Sequence, residues 1–223
     1  MNRKEFKEIS VNLFWPEVCP FCEEISKTGI CGECKSELEK LIVAAPKCMK
    51  CSKPISDDNE EFCVDCTANF RSFDKGYSFW IHGDIVSKSI YKFKYENKRR
   101  YGKLFVNALP RKLEYELKSV NAQVLIPVQL CKKRKRTRGY NQSLILANEL
   151  SERLRIPVLD CVIRTKETSP QKELSKSKRR DNINKAFCVL DINKRIKRVI
   201  IIDDIFTTGS TVNEIAKVLK ERG

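Results

Sequence analysis

The sequence predicts an α/β fold, a mostly parallel sheet flanked by helices, preceded by a small cysteine-rich ribbon. Three observations carry that expectation. Eight cysteines form four Cys-x-x-Cys pairs within residues 19–66. Two short β-rich apolar runs, Val124–Val128 and Val199–Ile202, are each followed by a polar loop, as buried parallel strands are. Stretches with apolar residues at helical spacing lie after each run, and alternation of strand, loop and helix is the pattern of α/β domains.

Composition sets the outer limits. The 223 residues are 41% hydrophobic and 33% charged, an ordinary globular profile. No apolar run approaches the roughly 20 residues needed to cross a bilayer. The amino terminus, MNRKEFKEISVNLFW, lacks the apolar core of a signal peptide, so a cytoplasmic location with no membrane span is expected. Charge is lopsided: residues 1–75 carry 11 Lys+Arg against 14 Asp+Glu, and the remainder carries a net +18. Such a surface attracts polyanions, nucleic acid or phosphorylated small molecules, or is merely solvated.

The cysteine pairs are Cys19/Cys22, Cys31/Cys34, Cys48/Cys51 and Cys63/Cys66. Each pair can deliver two thiolates from one tight turn, and two pairs close the tetrahedral sulfur shell of a structural zinc site. A double zinc ribbon with two Zn²⁺, each held by four cysteines, is therefore expected. Sequential and interleaved pairing both satisfy the chemistry. A disulfide framework does not suit the cytosol, and a thioredoxin-like redox site would need one such pair, not four in series. A catalytic zinc site would mix in His or carboxylate, yet the one histidine, His82, lies outside the cluster. Cys131, Cys161 and Cys188 stand apart and read as buried structural thiols. A ribbon this small depends on its metal to fold. The boundary is placed near Asn69–Gly76, giving a ribbon over 1–72 and an α/β domain over 73–223; no fixed-period repeat is apparent.

In the second part, Gln142–Leu154 places Leu144, Ala147, Leu150 and Leu154 on one helical stripe, and Val212–Leu219 does the same with Val212, Ile215, Ala216, Val218 and Leu219. Between the last strand and the last helix lies the sharpest chemical signal, VIIIDDIFTTGSTVNEIAKVLKERG. The strand delivers Asp203 and Asp204 to its carboxyl end, where ligands of open α/β sheets bind. Backbone N–H groups of Thr208–Thr211 at the helix start, with Gly209 permitting close approach and hydroxyls on Thr207, Thr208, Ser210 and Thr211, suit a phosphate. The adjacent carboxylates suit ribose hydroxyls. The plainer reading is an acidic turn with Ser210 or Thr211 as the helix N-cap.

The stretch Val199–Thr211 closely resembles the phosphoribosyl-pyrophosphate (PRPP) signature of type I phosphoribosyltransferases, with Phe206 replacing a usual aliphatic residue. Together with the cysteine pairs, FKY (Phe93–Tyr95), IPV (Ile126–Val128), RGYNQ (Arg138–Gln142) and the run from Thr168 through Gln171, Leu174, Arg179, Asn182 and Ala186–Phe187, the chain resembles the ComF family of competence proteins. The resemblance implies a zinc ribbon joined to a type I phosphoribosyltransferase-like domain. It further implies that Asp203 and Asp204 hold the ribose hydroxyls, that Thr207, Thr208, Gly209, Ser210 and Thr211 cradle the 5-phosphate, that Ile205 is among the PRPP-binding residues, and that Val128 and Gln129 begin the loop meeting a Mg²⁺-bound diphosphate. Thr165–Arg180, with Lys172 and Arg179, resembles the segment that closes over it, so the catalytic candidates are Asp203, Asp204, Lys172 and Arg179. No segment resembles the hood that recognises an acceptor base. Relatives commonly continue into a further strand past the position of Gly223, so a sheet shortened at that edge is expected.

Two basic segments remain. Lys132, Lys133, Arg134, Lys135, Arg136 and Arg138 place six cations in seven positions, with no acid until Glu149, which suits a phosphate backbone better than a mixed-sign solvated surface. Tyr91–Lys103 interleaves aromatics with Lys92 and Lys94, a pattern for stacking bases along a cationic track; yet Ile85, Val86, Ile90, Phe93 and Phe105 equally suit a packing face. The family resemblance implies single-stranded DNA handling in natural transformation with a PRPP pocket retained, and the net +18 of the second part with its two Lys/Arg-rich segments supports it. The alternatives are an active Mg²⁺-dependent phosphoribosyltransferase, or an adaptor docking other DNA-processing proteins through the ribbon.

Overall fold

The computed structural model describes residues 17–165, 186–190 and 192–223. The first elements are two copies of one device. Cys19 and Cys22 sit in a hairpin held by an antiparallel bridge between Val18 and Ile25, with Glu23 in the left-handed region (φ 66°) directly after the second cysteine. Cys48 and Cys51 repeat this with a Lys47–Pro54 bridge and Ser52 at φ 60°. Each hairpin is answered by a cysteine pair at a helix start: Cys31 caps α1 (Gly32–Glu39), and Cys63 caps α2 (Val64–Thr67). The repeat escapes a fixed-period reading because its spacers are 8 and 11 residues.

Three helices follow, α3 (Asp84–Tyr95), α4 (Tyr101–Asn107) and α5 (Arg111–Ser119), and lead into β1 (Val124–Pro127). After β1 come α6 (Lys132–Arg138), α7 (Gln142–Leu154), β2 (Val162–Arg164), β3 (Phe187–Val189), β4 (Val199–Ile202) and α8 (Ser210–Glu221). β1 is central: it pairs in parallel with β4 from Val124–Val199 to Pro127–Ile202, and on its other edge Leu125 bridges Val158 in parallel. β2 and β3 form an antiparallel pair. The expected mostly parallel arrangement with flanking helices is present.

Alternation along β1 builds two core layers. Val124, Ile126 and Val128 pack with Ile215 of α8 and with β2 and β3, while Leu125 packs with Ala147 and Leu154 of α7 and Leu117 of α5. α4 approaches α7 closely at Gly102, where a Cβ would fall 2.5 Å from Ile145. The two ribbons are built onto these layers. Cys19, Phe21, Cys34 and Leu38 share a cluster with Phe93, Tyr101 and Phe105, and Cys48, Cys51 and Cys63 share another with Phe73, Phe206, Val212 and Ala216. Among the described residues no strand pairs with the outer edge of β4, which lines a cleft of about 790 Å³ between α5 and α8. No helix among them is long and apolar enough to cross a membrane.

Candidate functional site

Parallel pairing of β1 with β4 brings the loops after both strands to one end of the sheet. The Val128 N–H donates to the Ile202 carbonyl at 2.9 Å, locking the two loop entrances together. From β4 the chain presents Asp203, whose Oδ1 accepts from the Asp204 backbone N–H (2.9 Å) and from Ser143 Oγ (3.3 Å). Asp204 Oδ2 takes an ion pair from Lys94 Nζ at 2.9 Å, both side chains being more than four-fifths buried. Burial, followed by the charge of Asp204, pushes the Asp203 carboxyl up to about 7 against the opposing pull of Lys94 and its hydrogen bonds.

The loop beyond the acids turns at Gly209, which is left-handed (φ 70°) and serves as N-cap of α8. The capping role anticipated for Ser210 or Thr211 is thus taken by glycine. Ser210 instead opens the first turn and shares a 2.8 Å hydroxyl contact with Thr208, Thr207 is exposed, and Thr211 follows in the first turn. The first amides of an α-helix have no intrahelical acceptor, the usual provision for an anion, and here the Ser210 N–H meets Thr208 Oγ1 at 3.4 Å. Phe206 lies across Gly209, its ring 2.5 Å from where a Cβ would stand, and meets Phe73 edge-on at 6.3 Å.

The loop after β1 is held by Asn141, the N-cap of α7. Its Nδ2 donates to the Val128 carbonyl (3.0 Å) and to Gln129 Oε1 (3.2 Å), while its Oδ1 accepts the Ser143 N–H. Gln129 is also bonded to Asp160. Fully buried Gln142 accepts from Arg138 at 3.0 Å and donates to the Lys94 carbonyl at 3.5 Å. The RGYNQ segment, with Ser143 directly after it, therefore ties the two loops and α3 into one network. Asn141 and Gln142 belong to the RGYNQ motif and Ser143 directly follows it, but the roles of all three depend on partners far away in sequence.

The two basic segments differ from one another. Lys132–Arg138 is a helix, α6, with Lys132, Lys133, Lys135 and Arg136 exposed. Lys92 and Lys94 do not form a free cationic track: Lys92 pairs with Glu23 and Lys94 with Asp204, because α3 packs its Phe93 face inward and turns these flanks onto acidic neighbours. Lys172 and Arg179 lie outside the described residues, as does the closing segment between them.

The thiol groups gather as Cys19, Cys22, Cys31 and Cys34, and as Cys48, Cys51, Cys63 and Cys66, with sulfur atoms in each set within 4.8 Å of one another. The pairing is sequential. All-sulfur tetrads with this spacing are closed structural zinc sites, with no ligand position left for catalysis.

Residues 10–67 match the double zinc ribbon domain family, and residues 141–223 match the phosphoribosyl transferase domain family. Competence protein F of Haemophilus influenzae is 34% identical over 208 residues, covering 89% of this chain and 87% of that protein. The chain belongs to the ComF family. Its members also include the DNA utilization protein YhgH of Escherichia coli K12, 26% identical over 93% of this chain and 92% of its own. Competence protein ComFC of Bacillus subtilis is 25% identical over 87% of this chain and 79% of its own length. No solved structure matches the chain significantly.

Proposed function

We propose that this ComF-family protein handles single-stranded DNA in the cytoplasm during natural transformation, with PRPP and its Mg²⁺ held at the joined ends of β1 and β4. The observation that carries the pocket is the convergence of Asp203, Asp204, Gly209 and the α8 start with Val128 and Gln129. In this reading the two carboxylates accept from ribose hydroxyls, the loop from Thr207 to Thr211 receives the 5-phosphate, and the diphosphate lies toward Gln129. The exposed cations of α6, beginning four residues after Val128, supply a track for a DNA backbone. The names of the relatives, competence and DNA utilization proteins, support DNA as the polyanion. A ribbon over 1–72 serves as scaffold for the domain over 73–223, since each tetrad shares a hydrophobic cluster with it.

Isothermal titration calorimetry with Mg²⁺ and PRPP tests the pocket. Wild-type protein binds, and Asp203→Asn with Asp204→Asn weakens binding at least about tenfold, the loss expected for hydrogen bonds to charged acceptors. Equal affinity in the double variant would overturn the assignment. A second reading, transfer of ribose 5-phosphate to a base or amine, is favoured by the retention of both acids beside an intact phosphate loop; release of pyrophosphate upon addition of amine or base acceptors would establish it.

A further inference from the structure

The exposed side of α3 carries an aromatic pair that the pocket does not use. Tyr91 and Tyr95 are 53% and 51% exposed, with ring centroids 4.8 Å apart. A single exposed ring is ordinary, but two adjoining exposed rings form a contiguous apolar patch of the kind that marks interaction surfaces. This pair is also joined to the basic surface. Arg138, the last residue of α6, lies over the Tyr95 ring at 4.8 Å and donates to its hydroxyl at 3.0 Å. Exposed Arg99 covers the neighbouring Tyr140 ring at 4.8 Å.

We infer that Tyr91 and Tyr95, with Arg138 and Arg99 beside them, form a stacking platform for unpaired bases of a nucleic-acid strand whose phosphates run along α6. The inference rests on the DNA-handling reading and deepens it by naming the surface that receives the bases. Charge complementarity selects the occupant. The surface adjoining the rings is supplied by α6, whose cations have no acid among them, while Lys92 and Lys94 on the same helix as the rings are already neutralised by Glu23 and Asp204. Two exposed rings tilted 45° to one another, flanked by cations with no acidic partner among the described residues, fit a ligand with regularly spaced anions and exposed aromatic faces, which is a single strand; duplex bases hide their faces in the stack. The ion pair from Lys94 to Asp204 also anchors the end of α3, so the platform adjoins the pocket through rigid contacts.

The test uses the full zinc-loaded chain and a fluorescent 20-nucleotide oligothymidylate, followed by anisotropy at several salt concentrations. Tyr91→Ala and Tyr95→Ala each weaken binding about fivefold or more while leaving the slope of log affinity against log salt unchanged, because stacking releases no counterions. Tyr91→Trp and Tyr95→Trp retain affinity, and changing Lys132, Lys133, Lys135 and Arg136 to Gln flattens the slope. Alanine variants that bind as tightly as wild type, or whose loss appears only as a changed salt slope, overturn the platform while sparing the DNA-handling reading. Wild-type protein that binds no single strand, or binds duplex more tightly, overturns both.

Discussion

Lys94 Nζ and Asp204 Oδ2, 110 positions apart in the chain, meet at 2.9 Å in a nearly enclosed ion pair. The contact places a cation from α3 beside two adjacent carboxylates that would otherwise repel one another, and it explains how a strand end can hold both acids without an external counter-charge. Removing one member of such a pair leaves the other buried and uncompensated. Lys94→Met is expected to lower unfolding free energy by about 3 kcal/mol, and Lys94→Met with Asp204→Asn to recover most of that loss. Urea denaturation of the two single variants and the double variant measures the coupling; strict additivity would show that the pair does not bear on stability.

The elevated Asp203 carboxyl has a pH signature. Its folded value of about 7 lies above the unfolded value near ~3.9, so the folded state holds a proton that the unfolded state has lost between these limits. The Asp203 contribution to stability is therefore fully present below the lower value and declines as pH rises toward 7. Asp203→Asn abolishes that decline. Compared with wild type, the variant gains in relative stability between about pH 4 and 7 and no further above that, measured by chemical denaturation at each pH; a parallel dependence in both proteins would contradict the raised Asp203 carboxyl.

Gly209 tests the phosphate loop. A side chain there meets the Phe206 ring and must also adopt a left-handed backbone, so Gly209→Ala is expected to cost about 1–3 kcal/mol. Adding Phe206→Leu relieves the collision but not the backbone strain, and restores part of the loss. Thermal denaturation of both variants separates the two effects; no recovery in the double variant would locate the cost in the backbone alone.

Zinc removal is expected to reach beyond the ribbon. The second tetrad shares its cluster with Phe73, Phe206, Val212 and Ala216, and the Ser72 N–H donates to Asn213 at 2.7 Å, so its collapse uncovers the start of α8. Chelation should lower the melting temperature of the whole chain and raise hydrogen exchange across 206–216. Unchanged exchange there would mean that ribbon and domain are independent.

The parts of this architecture that were legible beforehand are those whose cause is local. Cysteine spacing, the Val199–Ile202 run and the stripes of Gln142–Leu154 and Val212–Leu219 each carry their own signal, and all four elements are present. Cysteine pairing was open because either arrangement fills a tetrahedron; it is decided only in the folded chain, where the sulfur atoms gather in the two sequential sets. Lys132–Arg138 hid its helix because like charges lack the usual amphipathic pattern, and its stop is supplied by left-handed Gly139. The partners of Lys94, Asn141 and Ser143 are set by helix packing over long separations, which no local pattern records.

The central claim joins a phosphate pocket to a DNA-binding face, and one titration addresses it most directly: anisotropy of labelled single-stranded DNA against zinc-loaded protein across a salt series, with and without Mg²⁺ and PRPP. The account predicts affinity that falls steeply with salt, in proportion to the phosphates neutralised, and that changes when PRPP fills the neighbouring site. A protein that binds PRPP but shows no affinity for single strands even at low salt would contradict it and turn attention to the transferase reaction.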